Sequence, residues 1–131
     1  MGAVGHSDAD VLIHAICDAL LGAAGLRDIG WHFPDTSARF KNIDSKLLLA
    51  EVMRLVREKN WEIGNIDTVI VLQKPKISGF IPSMQSTLAN VLQVDAETVS
   101  IKATTTEHLG YEGREEGISA FATVLIFKKK Q

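Results

Sequence analysis

One cysteine, Cys17, stands among 131 residues. A disulfide within the chain is therefore excluded, and so is a zinc cluster built from cysteines. Cys17 lies in an apolar stretch and reads as a small core residue. No apolar run approaches the length of a membrane span, and no basic-then-apolar leader opens the sequence. Charge of one sign is also lacking. The formal net charge is −2, and the longest like-charged cluster is Lys128-Lys129-Lys130. Non-specific nucleic-acid binding is not suggested. Internal repeats, low-complexity segments and linkers are missing too. With 46% hydrophobic and 23% charged residues, the chain has apolar surface enough for one ordinary core. The expectation is a single domain over residues 1–131, soluble, in a reducing compartment.

The pattern along the chain predicts three helices and three strands. Residues 9–24 read as a helix apolar on most faces, hence buried, with Ser7 or Asp8 as its cap. Residues 25–43 read as a loop, long for a compact domain. A second helix is predicted over 45–59, capped by Asp44 or Ser45 and ended by Asn60. Its apolar stripe is Leu48, Val52, Leu55 and Val56. Strands follow at 66–73, 98–103 and 118–127. A third helix begins near Pro82, with a core face of Met84, Leu88, Val91 and Leu92. This order implies an α/β (α+β) fold, a two-layer sandwich of a mixed sheet with helices on one face. Three strands cover three helices poorly, so a further strand is expected from elsewhere.

Asp10, His14 and Asp18 recur every four residues and so form a polar line on the first helix. Two readings stand. The line is the helix's narrow solvent edge, or it faces a site in which His14 ligates a metal and a carboxylate supports it. One histidine does not make a catalytic zinc site, which takes about three protein ligands. His6-Ser7 is placed at the helix start, where backbone N–H groups favour anions; a plain cap is the equal alternative.

Further along, Thr104-Thr105-Thr106-Glu107 follows a strand. It reads either as a capping box or as hydroxyls and free amides seating a phosphate. Arg114, in the glycine-containing loop after it, is a bidentate phosphate clamp or a solvated arginine. Lys74-Pro75-Lys76 is a charged turn or a backbone lip for a planar base. Asp28-Ile29-Gly30 offers a carboxylate to a diol such as ribose, and Phe33-Pro34-Asp35 reads as a turn. None of these is specific alone.

Taken in order, the stretches GHSDADVLIHAICDALLGAAGLRDIGWHFPDT (5–36), DSKLLL (44–49), GNIDTVIVLQKPKI (64–77) and IKATTTEHLGYEGREEGI (101–118) resemble the 2-C-methyl-D-erythritol 2,4-cyclodiphosphate synthases of non-mevalonate isoprenoid biosynthesis. The resemblance covers essentially the whole chain. It implies a homotrimer with active sites between subunits. It also implies a lyase reaction in which the 2-phosphate of 4-diphosphocytidyl-2-C-methyl-D-erythritol 2-phosphate attacks the β-phosphorus and CMP leaves. Zn2+ and Mg2+ or Mn2+ are the implied cofactors, supporting a reaction that needs positioning and charge neutralisation more than a strong base.

Residue by residue, the resemblance makes His14 a zinc ligand. It gives His6 and Thr105 transition-state stabilisation, with Ser7 beside His6 on the substrate. Asp28, Ile29 and Gly30 match the ribose-binding turn. Phe33, Pro34, Asp35, Thr36 and Ser37 match the loop over the methylerythritol phosphate. Leu72, Gln73, Lys74, Pro75, Lys76, Ile77 and Ser78 match a cytosine pocket built largely from backbone. Thr104, Thr106 and Glu107 match the phosphate and divalent-metal region. Tyr111 and Arg114 match positions near the substrate and the trimer's central cavity, which in some relatives holds an isoprenoid diphosphate. Asp18 receives no catalytic role.

One departure accompanies the match. Family members begin with a strand ending in an Asp-x-His motif that completes the zinc site, and nothing upstream of Gly5 matches it here. The expectation is a chain lacking that N-terminal strand segment, with weak or no turnover by itself. The alternative function is a non-catalytic trimeric relative that binds a nucleotide or an isoprenoid diphosphate. No membrane or nucleic-acid partner is expected, and bacterial cytoplasm and plastid are both open.

Overall fold

A computed structural model describes residues 3–34, 44–72, 78–104 and 118–130, with the side chains of residues 3–8 and 78 outside the description. Apolar spacing accounts for most of its elements. Helix α1 (Ala3–Ala23) buries Leu12, Ile13, Ile16, Cys17, Leu20 and Leu21. A short α2 (Ile29–His32) follows. Helix α3 (Ser45–Glu58) buries Leu48, Leu49, Val52, Met53 and Val56, and Asp44 caps it by accepting the Lys46 N–H at 2.8 Å. Asn60 takes the left-handed conformation (φ 67°) just past its end. Strand β1 (Trp61–Val71) comes next. Helix α4 (Ile81–Leu92) then carries Pro82 in its first turn and buries Met84, Leu88, Ala89 and Leu92. Strands β2 (Val99–Thr104) and β3 (Ser119–Lys128) complete the described chain. Among the described residues no helix is long and apolar enough to cross a membrane.

The three strands form one mixed sheet in the order β2-β1-β3. β1 runs parallel to β2 and antiparallel to β3. Side chains alternate across a strand, so one sheet face carries Ile63, Ile66, Thr68 and Ile70 of β1, all buried. Ala120, Ala122, Val124 and Ile126 of β3 join them and pack against the core. Helix α1 lies on β3 and β1, α3 on β1, and α4 on β2. The mixed sheet with its helices is the α+β arrangement that the element order implied.

Three local expectations are corrected. α1 begins at Ala3 rather than Ala9, so Ser7 and Asp8 are interior helical positions and not caps. A helix propagates cheaply from a nucleated segment, and residues 3–8 hold no proline to stop it. The 25–43 stretch contains α2, a single turn that periodicity cannot reveal. β1 starts at Trp61 rather than Ile66. Gly64-Asn65 looks like a strand breaker, but the structure places a register irregularity there. A Cβ on Gly64 would stand 3.1 Å from the Leu125 carbonyl oxygen, so glycine there lets the two backbones approach closely without crowding.

The base of the sheet is tied to the helices by Arg57. Its guanidinium donates to both Glu62 carboxylate oxygens at 3.0 Å and to the Leu92 carbonyl at 2.7 Å. One side chain thus joins α3, β1 and the end of α4. These hydrogen bonds, with a further one from the Ile63 N–H, hold the Glu62 carboxyl down at about 2, from an ordinary 4.5. A depressed carboxyl stabilises the fold fully above its unfolded value, and loses that contribution as pH falls toward the folded one. The expected outcome is a fall in urea-unfolding stability between about pH 4.5 and 2 that is shallower in Glu62→Gln than in the unsubstituted protein. Parallel acid limbs for the two proteins would contradict it.

Candidate active site

Parallel pairing decides where the candidate residues meet. β1 and β2 point the same way, so their C-terminal ends share one edge of the sheet. Val71 pairs with Thr104, and the Leu72 N–H donates to the Thr104 carbonyl at 3.0 Å. The stretch that begins at Leu72, which the resemblance gives to a cytosine, and the threonine run that begins at Thr104 therefore start side by side. Ser119, where β3 begins, pairs with Val71 at the same edge. Crevices beyond the carboxyl ends of parallel strands are common ligand sites. Thr104 is exposed there and Leu72 is buried.

The Asp28-Ile29-Gly30 turn is placed by α1. The Ile29 N–H donates to Asp18 Oδ1 at 3.0 Å. Asp28 is extended (φ −117°, ψ 172°) at the start of α2 and makes no side-chain capping bond. A Cβ on Gly30 would stand 3.2 Å from Asp28 Oδ2, so the carboxylate lies over the bare glycine. His32 turns its ring back to the Leu26 carbonyl. Phe33 is buried in the core while Pro34 is exposed, so Phe33 roots the start of the loop that the resemblance puts over the substrate. No hydrogen bond among the described residues joins this turn to the Leu72/Thr104 edge.

The polar line on α1 divides by role. Asp10 Oδ1 accepts from Ser45 Oγ at 2.6 Å and so ties α1 to the start of α3. Asp18 ties α1 to α2. His14 lies between them, about 6 Å along the axis from each, and its ring is exposed. Spacing alone did not reveal these two carboxylate tethers, because each partner lies far away in sequence or in a segment read as loop. Beside Asp18, Cys17 is buried, and burial followed by the Asp18 charge pushes its thiol up to about 12. Such a thiol is inert, as its reading as a core residue implied.

Several candidates lie outside the described residues: Asp35, Thr36, Ser37, Gln73, Lys74, Pro75, Lys76, Ile77, Thr105, Thr106, Glu107, Tyr111 and Arg114, with the side chains of His6, Ser7 and Ser78.

The family model of the YgbB family matches residues 1–127. The chain belongs to that family. A protein named 2-C-methyl-D-erythritol 2,4-cyclodiphosphate synthase from Parabacteroides distasonis is 65% identical over 126 residues, covering 96% of this chain and 78% of that protein. Its namesake from Bacteroides fragilis is 63% identical over 125 residues, 95% of this chain and 79% of that one. Among solved structures, the bifunctional IspDF from Campylobacter jejuni superposes with a TM-score of 0.85 at 45% identity, over 90% of this chain and 32% of that chain. The CDP complex of IspF from Plasmodium falciparum superposes with a TM-score of 0.80 at 34% identity, over 92% of this chain and 72% of that chain.

YgbB-family proteins use divalent metals, so the donors on this chain bear testing against that. Among the described residues no three His, Cys, Asp or Glu side chains come together to hold a metal ion. Asp10 and Asp18 already accept from Ser45 and Ile29, and His14 contributes a single exposed imidazole. The described residues therefore do not by themselves fit a metal centre.

Gly30 yields a structural prediction for this family member. Its backbone is helical, so alanine is compatible with the chain path and favours helix by about 1 kcal/mol. The added Cβ presses on the Asp28 carboxylate. A crystal structure of Gly30→Ala is expected to show the Asp28 side chain swung away, with a melting temperature unchanged or raised. An unmoved carboxylate would refute the packing argument.

Proposed function

We propose that this YgbB-family chain acts as a 2-C-methyl-D-erythritol 2,4-cyclodiphosphate synthase, a lyase of isoprenoid biosynthesis. The observation that carries the reading is the shared sheet edge of Leu72 and Thr104 in a chain 65% identical to a protein of that name. In the reaction, an oxygen of the substrate's 2-phosphate attacks the β-phosphorus. The bond from that phosphorus to the oxygen bridging it to the α-phosphorus breaks. CMP leaves with the bridging oxygen, and the eight-membered cyclic diphosphate remains.

The chemistry asks the protein to hold two anionic groups in line and to neutralise charge. His6 and Thr105 are assigned hydrogen bonds to the phosphorus-bound oxygens. Ser7 is assigned to the substrate beside His6, and Thr104, Thr106 and Glu107 to the phosphate and divalent-metal region. Tyr111 and Arg114 are assigned to positions near the substrate and the central cavity, and Phe33 to Ser37 to the methylerythritol phosphate. Asp28, Ile29 and Gly30 take the ribose, and Leu72 to Ser78 take the cytosine, which agrees with the CDP named for the Plasmodium falciparum relative. His14 is assigned to a zinc ion, and Mg2+ or Mn2+ to the diphosphate. Any further zinc ligands have to come from outside the described residues. Bound cations would supply charge neutralisation at the phosphates. The relatives from Parabacteroides distasonis and Bacteroides fragilis are bacterial, and bacterial cytoplasm is the compartment assigned, with a plastid as the alternative.

Protein expressed from its full reading frame is expected to release CMP from the cytidylyl substrate, to stop when treated with a chelator, and to recover with added zinc and magnesium. No CMP from metal-loaded protein sinks the reading.

The same reading includes a homotrimer with sites between subunits, and the outer sheet face supports it. Strand β3 carries apolar residues on both of its faces, as in strands covered on both sides. Its inner side packs on the helices. On the outer side Phe121 is 62% exposed, Leu125 64% and Phe127 50%, with Val69 and Val71 beside them across the β1–β3 register. Surface of this kind marks an interface. Sedimentation of the unsubstituted protein is expected to give a trimer, and Leu125→Glu with Phe121→Glu to give smaller species. A monomer in the unsubstituted protein would remove the shared-site model, including an isoprenoid diphosphate in a central cavity.

A further inference from the structure

Asp18 has no assigned part in the chemistry, yet it holds the turn on which the nucleoside reading rests. A residue at the start of a helix ordinarily turns its own side chain inward to accept a first-turn N–H. Asp28 does not; it makes no capping bond. Instead Asp18, eleven residues earlier, accepts the Ile29 N–H, the first amide of α2, at 3.0 Å. Asp18 stands on a rigid base. Ile16, Cys17, Leu20 and Leu21 around it are all 0% exposed, so the core fixes the stretch of helix from which its carboxylate reaches the Ile29 N–H. The Asp28 carboxylate is thereby left without a capping duty. Its backbone is held by Asp18 through Ile29, and its Oδ2 sits over the space that a Cβ on Gly30 would crowd at 3.2 Å.

We infer that Asp18 is a positioning residue for nucleoside recognition: through the Ile29 N–H it sets the Asp28 carboxylate in the orientation that accepts the hydroxyls of a ribose. The inference rests on the assignment of the Asp28 turn to the ribose. It gives a carboxylate on the exposed line of α1 a backbone partner in α2. It also separates the duties of the two acids. Asp28 meets the ligand, and Asp18 meets only backbone. Asparagine keeps an acceptor at the Oδ1 position and loses only the charge, whereas alanine leaves the Ile29 amide to water.

The test compares CDP with 2′,3′-dideoxycytidine 5′-diphosphate, by calorimetry, on the unsubstituted protein, Asp18→Ala and Asp18→Asn. The unsubstituted protein is expected to prefer CDP. In Asp18→Ala, CDP binding is expected to weaken about tenfold, the scale of one charge-assisted hydrogen bond, while the dideoxy ligand binds as before. Asp18→Asn is expected to keep most of the preference. KM for the cytidylyl substrate should rise in Asp18→Ala with kcat little changed, and the melting temperature should hold, since the side chain is exposed. Equal weakening of both ligands, or an unchanged preference for CDP in Asp18→Ala, overturns the positioning role. No preference in the unsubstituted protein overturns the ribose assignment itself, and the inference with it.

Discussion

Six side chains fix the rotation of α1 about its own axis. Leu12, Ile13, Ile16, Cys17, Leu20 and Leu21 are at most 3% exposed. Burying a large aliphatic side chain stabilises by about 1.5–3 kcal/mol. A turn of the helix that exposed several of them, and drew Asp18 or Asp10 into the core, is opposed by both terms at once. The line Asp10, His14, Asp18 therefore faces outward as a consequence of the packing. The ends of that line then find partners at fixed places, Ser45 at the start of α3 and Ile29 at the start of α2. The segments flanking the site are thus registered against the core by two carboxylates that take no part in the core themselves.

The sheet supplies the second half of the geometry. Two parallel neighbours need a crossover, because the chain leaving the end of one strand must return to the beginning of the next. Here α4 makes that return between β1 and β2. The crossover leaves the two carboxyl ends together, so Leu72 and Thr104 are adjacent although thirty-odd positions separate them. β3 then enters at the same edge, with Ser119 against Val71. Three passages of the chain meet there without any long-range motif to announce it. Loops anchored on such an edge can vary in length and composition while their roots stay in place.

Much of this was legible in the sequence, for reasons that differ by element. The Asp44 cap and the stripe Leu48, Val52, Val56 obey local rules, and the structure follows them. The three strands and their mixed pairing also follow from apolar runs and element order. The start of β1 did not, because Gly64 and Asn65 carry the local marks of a turn, and only the approach of the Leu125 backbone explains why glycine is there. α2 escaped because one helical turn is too short to show a period. For the polar line, spacing alone favoured a solvated edge over a site. His14 is exposed, as an edge residue would be, but Asp10 and Asp18 have partners that no local window contains. The tie between Asp18 and Ile29 is the part of the candidate site most dependent on tertiary structure, and the family resemblance assigned Asp18 nothing.

The outer sheet face connects the two halves. Thr104 pairs with Val71, and the side chains of both lie on the same side of the sheet as Phe121 and Leu125, opposite the face that carries α1. Lys102 and Asp67 form an ion pair on that side as well. The root of the threonine run is therefore continuous with the apolar surface rather than with the helical layer. A subunit covering Phe121 and Leu125 would also stand over the strand ends from which residues 73–77 and 105–117 depart. Apolar burial there would favour assembly, and assembly would close one side of the Leu72/Thr104 edge. A protein that binds only in its associated form gains stability and a completed site from the same contact. On the function proposed here, the apolar β3 serves both ends, with its inner residues holding α1 in place and its outer ones bringing a second chain to the edge where Leu72 and Thr104 meet.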